Sequence, residues 1–232
     1  MRKNTAKLLS HRSDARLASL IATQILPTLS GINSILDIGC GDGIVGKLIP
    51  KDCDYRGIDL SNSAIYEQNV EDVRITYSNP KNLELTIERS DKADATLILD
   101  VLEHTKNFTD LFEHALNKSK HYSIVSLPNE LFFLDRLRLL AGKEHPAHSL
   151  DLVGQPEGFK HQYLINIVKA KTLLRKAAEQ HEFTFKEEWL RPLLTKNRLI
   201  QPSLRLMRLL STSQLWSMGS IFVFEKTKNT AR

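Results

Sequence analysis

The chain has 232 residues, of which 41% are hydrophobic and 25% charged, close to the globular average, which excludes wholesale disorder and fibrous repeats. No apolar run approaches the ~18 residues that a membrane span needs, and two cysteines, Cys40 and Cys53, exclude a disulfide-stapled scaffold. The net charge of +5 is uneven: residues 1–16 carry +4, residues 186–232 carry +6, and the middle carries −5, leaving basic ends that suit either plain solvation or an anionic partner. The start, Met1-Arg2-Lys3-Asn4, is basic without the apolar stretch of a secretory signal, so a cytoplasmic location is expected.

Residues 12–29 place Leu17, Leu20, Ile21, Ile25 and Leu29 at helical spacing, which predicts an amphipathic helix ending near Pro27. Ser34 to Ile38 reads as a short buried strand, cut off by Gly39, Gly41 and Gly43, and residues 44–50 resume a helical pattern up to Pro50. Tyr55 to Asp59 reads as a second strand, Ser61 as a cap for a helix at 62–69, Val73 to Tyr77 as a third strand, and Ala95 to Leu99 as a fourth. A helix near 107–118, a strand from Tyr122 to Leu127, a helix over 130–140, a helix at about 165–181 and strands at 183–189 and 219–226 follow. Strands alternating with helices predict an α/β fold with a parallel sheet. Two stretches break the rhythm, at about 130–161 and 191–216, and read as insertions in one domain covering residues 1–232.

The strongest signal is the run Asp37-Ile38-Gly39-Cys40-Gly41-Asp42-Gly43. A strand enters a loop whose glycines permit positive φ and close backbone approach, and a helix follows whose first amides favour an anionic group. Asp59 ends the next strand, 22 residues after Asp37, where its carboxylate can accept from two ribose hydroxyls. The pattern describes a site for an adenosine-containing cofactor, and two cofactors compete. Gly41 to Gly46 fits the G-x-G-x-x-G fingerprint of a nicotinamide dinucleotide. The anionic Asp37 would repel a pyrophosphate, however, and would suit an amino-acid tail with its ammonium group.

These residues resemble the class I S-adenosylmethionine-dependent methyltransferases. Asp37 to Gly43 looks like that family's first motif and Gly57-Ile58-Asp59-Leu60-Ser61 like its second. Asp100-Val101-Leu102-Glu103-His104 and Val125-Ser126-Leu127-Pro128-Asn129 are similar to the ends of its fourth and fifth strands in the small-molecule branch. The resemblance implies a Rossmann-like, doubly wound, seven-stranded sheet, mostly parallel with an antiparallel last strand at 219–226. It implies S-adenosyl-L-methionine as cofactor, with Asp37, Gly39, Cys40 and Gly41 around its methionine part, Asp59 at the ribose and Leu60 beside the adenine. Asn79 stands where the family often has an Asp at the adenine amino group, and Asp100 and Val101 fall beside the methionine end. Cys40 itself reads as a small packing residue of the loop.

The acceptor is a small-molecule or a glycan- or lipid-linked compound on this reading. An oxygen acceptor needs its proton removed, for which a histidine is suited. His104, at the carboxyl edge of the sheet where ligands of such folds bind, is the first candidate, and His148 and His161 of the first insertion are the next. His145-Pro146-Ala147-His148 has His-x-x-His spacing, but Pro146 denies it a helix, so no metal is expected. Arg191, Lys196, Arg198, Arg205 and Arg208 of the second insertion could hold an anionic acceptor, with peripheral membrane contact a weaker alternative. Nucleic acid is the rival acceptor, favoured by an isoelectric point of 9.1. Against it, the Asn/Asp-Pro-Pro-aromatic tetrad of base-amino methylases is absent where Asp100 to Glu103 stands. A nicotinamide-dependent oxidoreductase is the second alternative.

Overall fold

A computed structural model describes residues 15–60, 73–155, 160–192 and 211–227, with positions 202, 206 and 209 between them. Seven strands make one sheet: β1 (Ser34–Ile38), β2 (Asp54–Leu60), β3 (Arg74–Ser78), β4 (Ala93–Leu99), β5 (Ser119–Pro128), β6 (Phe183–Pro192) and β7 (Ser217–Lys226). Their order is β3-β2-β1-β4-β5-β7-β6. All pairs from β3 to β5 are parallel, and β7 runs antiparallel to both β5 and β6. This is the expected doubly wound sheet with its antiparallel last strand. Around it lie α1 (Ala15–Leu20), α2 (Ile44–Leu48), α3 (Leu83–Arg89), α4 (Phe108–Lys118), α5 (Phe133–Leu140), α6 (Ile167–Gln180) and α7 (Ser213–Trp216).

The layers follow from the alternation of side chains along each strand. In β7, Phe222 and Phe224 join a core with Leu111, Phe112 and Leu116 of α4 and Leu174 of α6, whereas Ile221 and Val223 join a second core with Leu17, Ile21 and Ile25 near the N-terminus. Central β4 is buried along its whole length, as a parallel strand covered on both faces must be. The N-terminal helix departs from a plain α-helix: α1 passes into a π turn over Ile21–Ile25 and a 3-10 turn over Leu26–Thr28, with Pro27 ending the regular ladder. Helix α3, with Ile87 inward, was not apparent from the sequence because so short a segment carries only one buried apolar position. Ser61 and the helix expected at 62–69 lie outside the described residues, as do Lys196, Arg198, Arg205 and Arg208. No helix among the described residues is long and apolar enough to cross a membrane.

The cores set a stability test. Phe112 is fully buried, and Phe112→Ala is expected to cost about 3–5 kcal/mol. Leu140 is 84% exposed at the end of α5, and Leu140→Ala is expected to change stability by less than about 0.5 kcal/mol. Urea denaturation midpoints of the two variants check both values.

Candidate active site

The carboxyl ends of β1, β2 and β4 converge on a cavity of about 540 Å³. Gly39, Asp59 and Leu60 form one side, Val101, His104 and Asn107 a wall beyond β4, and Leu152 to Gln155 with Gln162 the far wall. The volume lies in the range of ordinary small-ligand sites.

The glycine loop is built for close approach. Gly39 has φ +78°, and a Cβ there would stand 2.4 Å from Val101 Cγ2, so a side chain would be strained and would collide with Val101. The amides of Gly39 and Cys40 both reach the Ile58 carbonyl, at 2.7 and 3.3 Å. Asp59 completes the tie: its carboxylate accepts from Gly41 N at 2.5 Å and from Leu60 N at 2.5 Å. The buried acid at the end of β2 thus fixes the loop that follows β1. Such an open glycine floor with a carboxylate beside it fits an amino-acid nucleoside cofactor.

The other expected cofactor residues fall into two groups. Gly39, Asp59, Leu60 and Val101 face the cavity, as does His104. Asp37, Cys40, Gly41, Asn79 and Asp100 stand behind or beside it. Cys40 packs on β2, where a Cβ at Gly57 would meet its Sγ at 2.5 Å. Asn79 is exposed, and its Oδ1 accepts from Lys81 N at 3.0 Å, capping a 3-10 turn. Asp100 adopts φ +52°, unusual for a residue with a side chain, and is held there by Arg191 Nη1 at 2.7 and 2.8 Å and by Ser126 Oγ at 2.7 Å. Arg191 was expected as a contact for an anionic acceptor, but in the fold it neutralises Asp100.

The three histidines also separate. His104, 8% exposed, lies on the cavity wall, while His148 and His161 lie behind it. Both reach Glu130, a buried acid that sequence reasoning missed: His161 Nδ1 lies 2.6 Å and His148 Nε2 3.1 Å from its Oε1, and Ile165 N donates to Oε2 at 2.6 Å. Burial works to raise the Glu130 carboxyl, but the bonds from His161 and Ile165 and the charge of His161 outweigh it and hold it at about 2. Its one sequence signal was its place, two residues after Pro128 at the carboxyl end of β5.

Asp37 behaves in the opposite way. It is buried beneath the loop, accepts from Tyr55 Oη at 2.6 Å through Oδ2, and has no hydrogen-bond partner at Oδ1 among the described residues. Burial raises its carboxyl to about 7, with the charge of Asp59 adding to the rise and the Tyr55 hydrogen bond opposing it. The ordinary value is about 3.9, so between that pH and 7 the folded chain binds a proton that the unfolded chain has released, and stability falls as pH rises through this window. Asp37→Asn is therefore expected to flatten the dependence by an amount on the order of 4 kcal/mol. Urea denaturation of both proteins at pH 4 and pH 8 checks it, and an unchanged difference between the two pH values contradicts the assignment.

Comparison with known proteins bears on the whole arrangement. The family described as "Methyltransferase domain" matches residues 8–184. No curated protein matches the chain. Among solved structures, a SAM-dependent methyltransferase from Archaeoglobus fulgidus aligns over 92% of this chain and 95% of its own, at 14% identity and a TM-score of 0.60. A magnesium protoporphyrin IX methyltransferase from Synechocystis PCC 6803, solved with bound SAH, aligns over 92% and 81%, at 15% identity and a TM-score of 0.53. A cyclopropane-fatty-acyl-phospholipid synthase-like protein from Lactobacillus casei aligns over 93% and 90%, at 14% identity and a TM-score of 0.51. The nicotinamide alternative lapses with the family match. With that domain matched over most of the chain, on this strand order and around this glycine loop, the chain belongs to the class I S-adenosylmethionine-dependent methyltransferases.

Proposed function

We propose that the chain methylates a small-molecule acceptor, free or carried on a glycan or lipid, at an oxygen presented beside His104. The observation that supports this reading most is that one cavity joins Gly39, Asp59 and Leu60 to His104, Gln162 and the Leu152–Gln155 wall. Donor and acceptor would then meet in one chamber with little water between them.

S-adenosylmethionine, when bound, supplies a methyl group on a sulfonium, an electrophile that leaves sulfur without needing a proton. The chain's task is therefore alignment and the handling of the acceptor's proton. Asp59 would accept from the ribose hydroxyls, and the Gly39 backbone would lie against the methionine part. His104 has the position to orient an acceptor hydroxyl, with His161 packed edge-on against it at 4.5 Å between ring centroids. His148 would act more remotely, by holding Glu130.

Two outcomes are expected. Asp59→Ala should weaken cofactor binding by about 1–3 kcal/mol, the scale of a lost charge-assisted hydrogen bond, read by calorimetry with S-adenosylhomocysteine. His104→Ala should leave that affinity within about twofold and slow methyl transfer about 100-fold or more. The assay is release of S-adenosylhomocysteine against a panel of hydroxylated small molecules, glycans, lipids and bulk RNA. Turnover on RNA alone would overturn the acceptor assignment.

A further inference from the structure

At and behind one wall of the cavity four histidines and two buried glutamates come together from four separate segments. Glu103 and His104 arrive on the 3-10 turn Leu102–His104 that follows β4. Glu130 follows β5, and His145 caps and His148 ends the 3-10 turn Pro146–His148 of the first insertion. His161 is brought in ahead of α6, tied by its own amide to the Ala147 carbonyl at 3.2 Å, while the next amide, Gln162 N, donates to the Glu103 carbonyl at 2.7 Å.

One carboxylate oxygen of Glu103 and one ring nitrogen each of His104 and His161 lie within 4.8 Å of one another. Glu103 is 1% exposed, and its Oε2 has no hydrogen-bond partner among the described residues. An acid so placed is costly unless something compensates it. The second observation concerns His161. Its Nδ1 is engaged by Glu130 at 2.6 Å, which leaves Nε2 as the nitrogen for another partner. A carboxylate that fixes one ring nitrogen while the other turns to a cation is the usual outer support of a metal-binding histidine. Glu130 is itself held by Ile165 N, so the support is anchored in the backbone.

We propose that Glu103, His104 and His161 bind one divalent transition-metal ion of the Zn2+ type, with an open position toward the cavity. Two imidazoles and one carboxylate suit zinc and its first-row neighbours and do not suit Mg2+ or Ca2+, which take oxygen ligands. Metal–ligand bonds of about 2.0–2.2 Å place tetrahedral ligands roughly 3.4 Å apart, so ligand atoms that now lie within 4.8 Å of one another close in by up to roughly 1.4 Å on loading, through side-chain rotation. His104 is the member that also lines the cavity. The fourth position would take the acceptor oxygen and lower the pKa of its hydroxyl, so that its proton leaves to bulk solvent, the oxygen forms the new bond to the methyl carbon, and the carbon–sulfur bond breaks to give the neutral thioether. That last role rests on the acceptor site proposed above, whereas the metal site itself does not.

The test titrates Zn2+ into the untagged full-length chain by calorimetry, with Co2+ absorption as a second reading of ligand geometry. One ion per chain and a tetrahedral Co2+ spectrum are expected. Glu103→Gln and His161→Ala should each weaken Zn2+ at least tenfold. Binding of S-adenosylhomocysteine, unchanged in both, shows that the variants fold. His145→Ala serves as the control from the neighbouring Glu130–His145–His148 group and should retain the ion. Absence of binding by the parent chain, or loss in His145→Ala with retention in Glu103→Gln, overturns the assignment. A chain that binds the ion through these residues yet methylates no hydroxylated acceptor leaves the site standing and removes the acceptor reading alone.

Discussion

The carboxylate of Asp59 is the constraint around which the site is organised. It stands at the end of one strand and accepts from the amide of a glycine 18 residues earlier, so the loop after β1 has a fixed distance from the end of β2. Charge-assisted bonds to backbone amides are strong for their number of atoms. They also hold the carboxylate at the edge of the cavity, between the loop and the end of β2. Gly39 then places bare backbone against Val101, which links the same loop to β4. Three neighbouring strands meet in one small contact set.

Five acids along this edge of the sheet, four of them buried and Asp100 partly so, find five different environments. Asp59 has amides, Glu130 has imidazoles and an amide, and Asp100 has Arg191 with Ser126. Asp37 has a single phenol and Asp59's charge nearby, so it carries a proton well into the neutral range. Glu103, deeply buried and near Asp100, is pushed well above the usual carboxylate range, by burial first and by that neighbouring charge second. Carboxylates over one surface thus differ widely in acidity: burial pushes Asp37 and Glu103 up, while hydrogen bonds from His161 and Ile165 pull Glu130 down.

What the sequence disclosed was local. The run Asp37 to Gly43 and the spacing to Asp59 lie within two strands and a loop, and their chemistry can be read from residue types in order. The strand positions were legible for the same reason, since alternation and burial leave their mark within five to seven residues. The pairing of Asp100 with Arg191 spans 91 positions and depends on β6, the outermost strand, sending the Arg191 side chain past Gly219 of β7 and Ser126 of β5, which no window of sequence contains. Glu130 gave no signal as the hub of three histidines, because they approach it from a turn and a loop whose path follows from tertiary packing. Asn79 shows the converse: its residue type suited an adenine contact, yet its amide oxygen serves the adjacent turn.

The position of β7 has a consequence for how the chain is made. The strand nearest the end of the described chain lies between β5 and β6, joined to each by antiparallel pairing. During synthesis β5 and β6 leave the ribosome before the segment that separates them, so both must wait with bare hydrogen-bonding edges. Arg191, at the end of β6, cannot reach Asp100 across Ser126 until that gap is closed. The nascent protein therefore holds the parallel part of the sheet beside unpaired edges of β5 and β6, and the aggregation hazard of those edges ends only when β7 fills the gap between them.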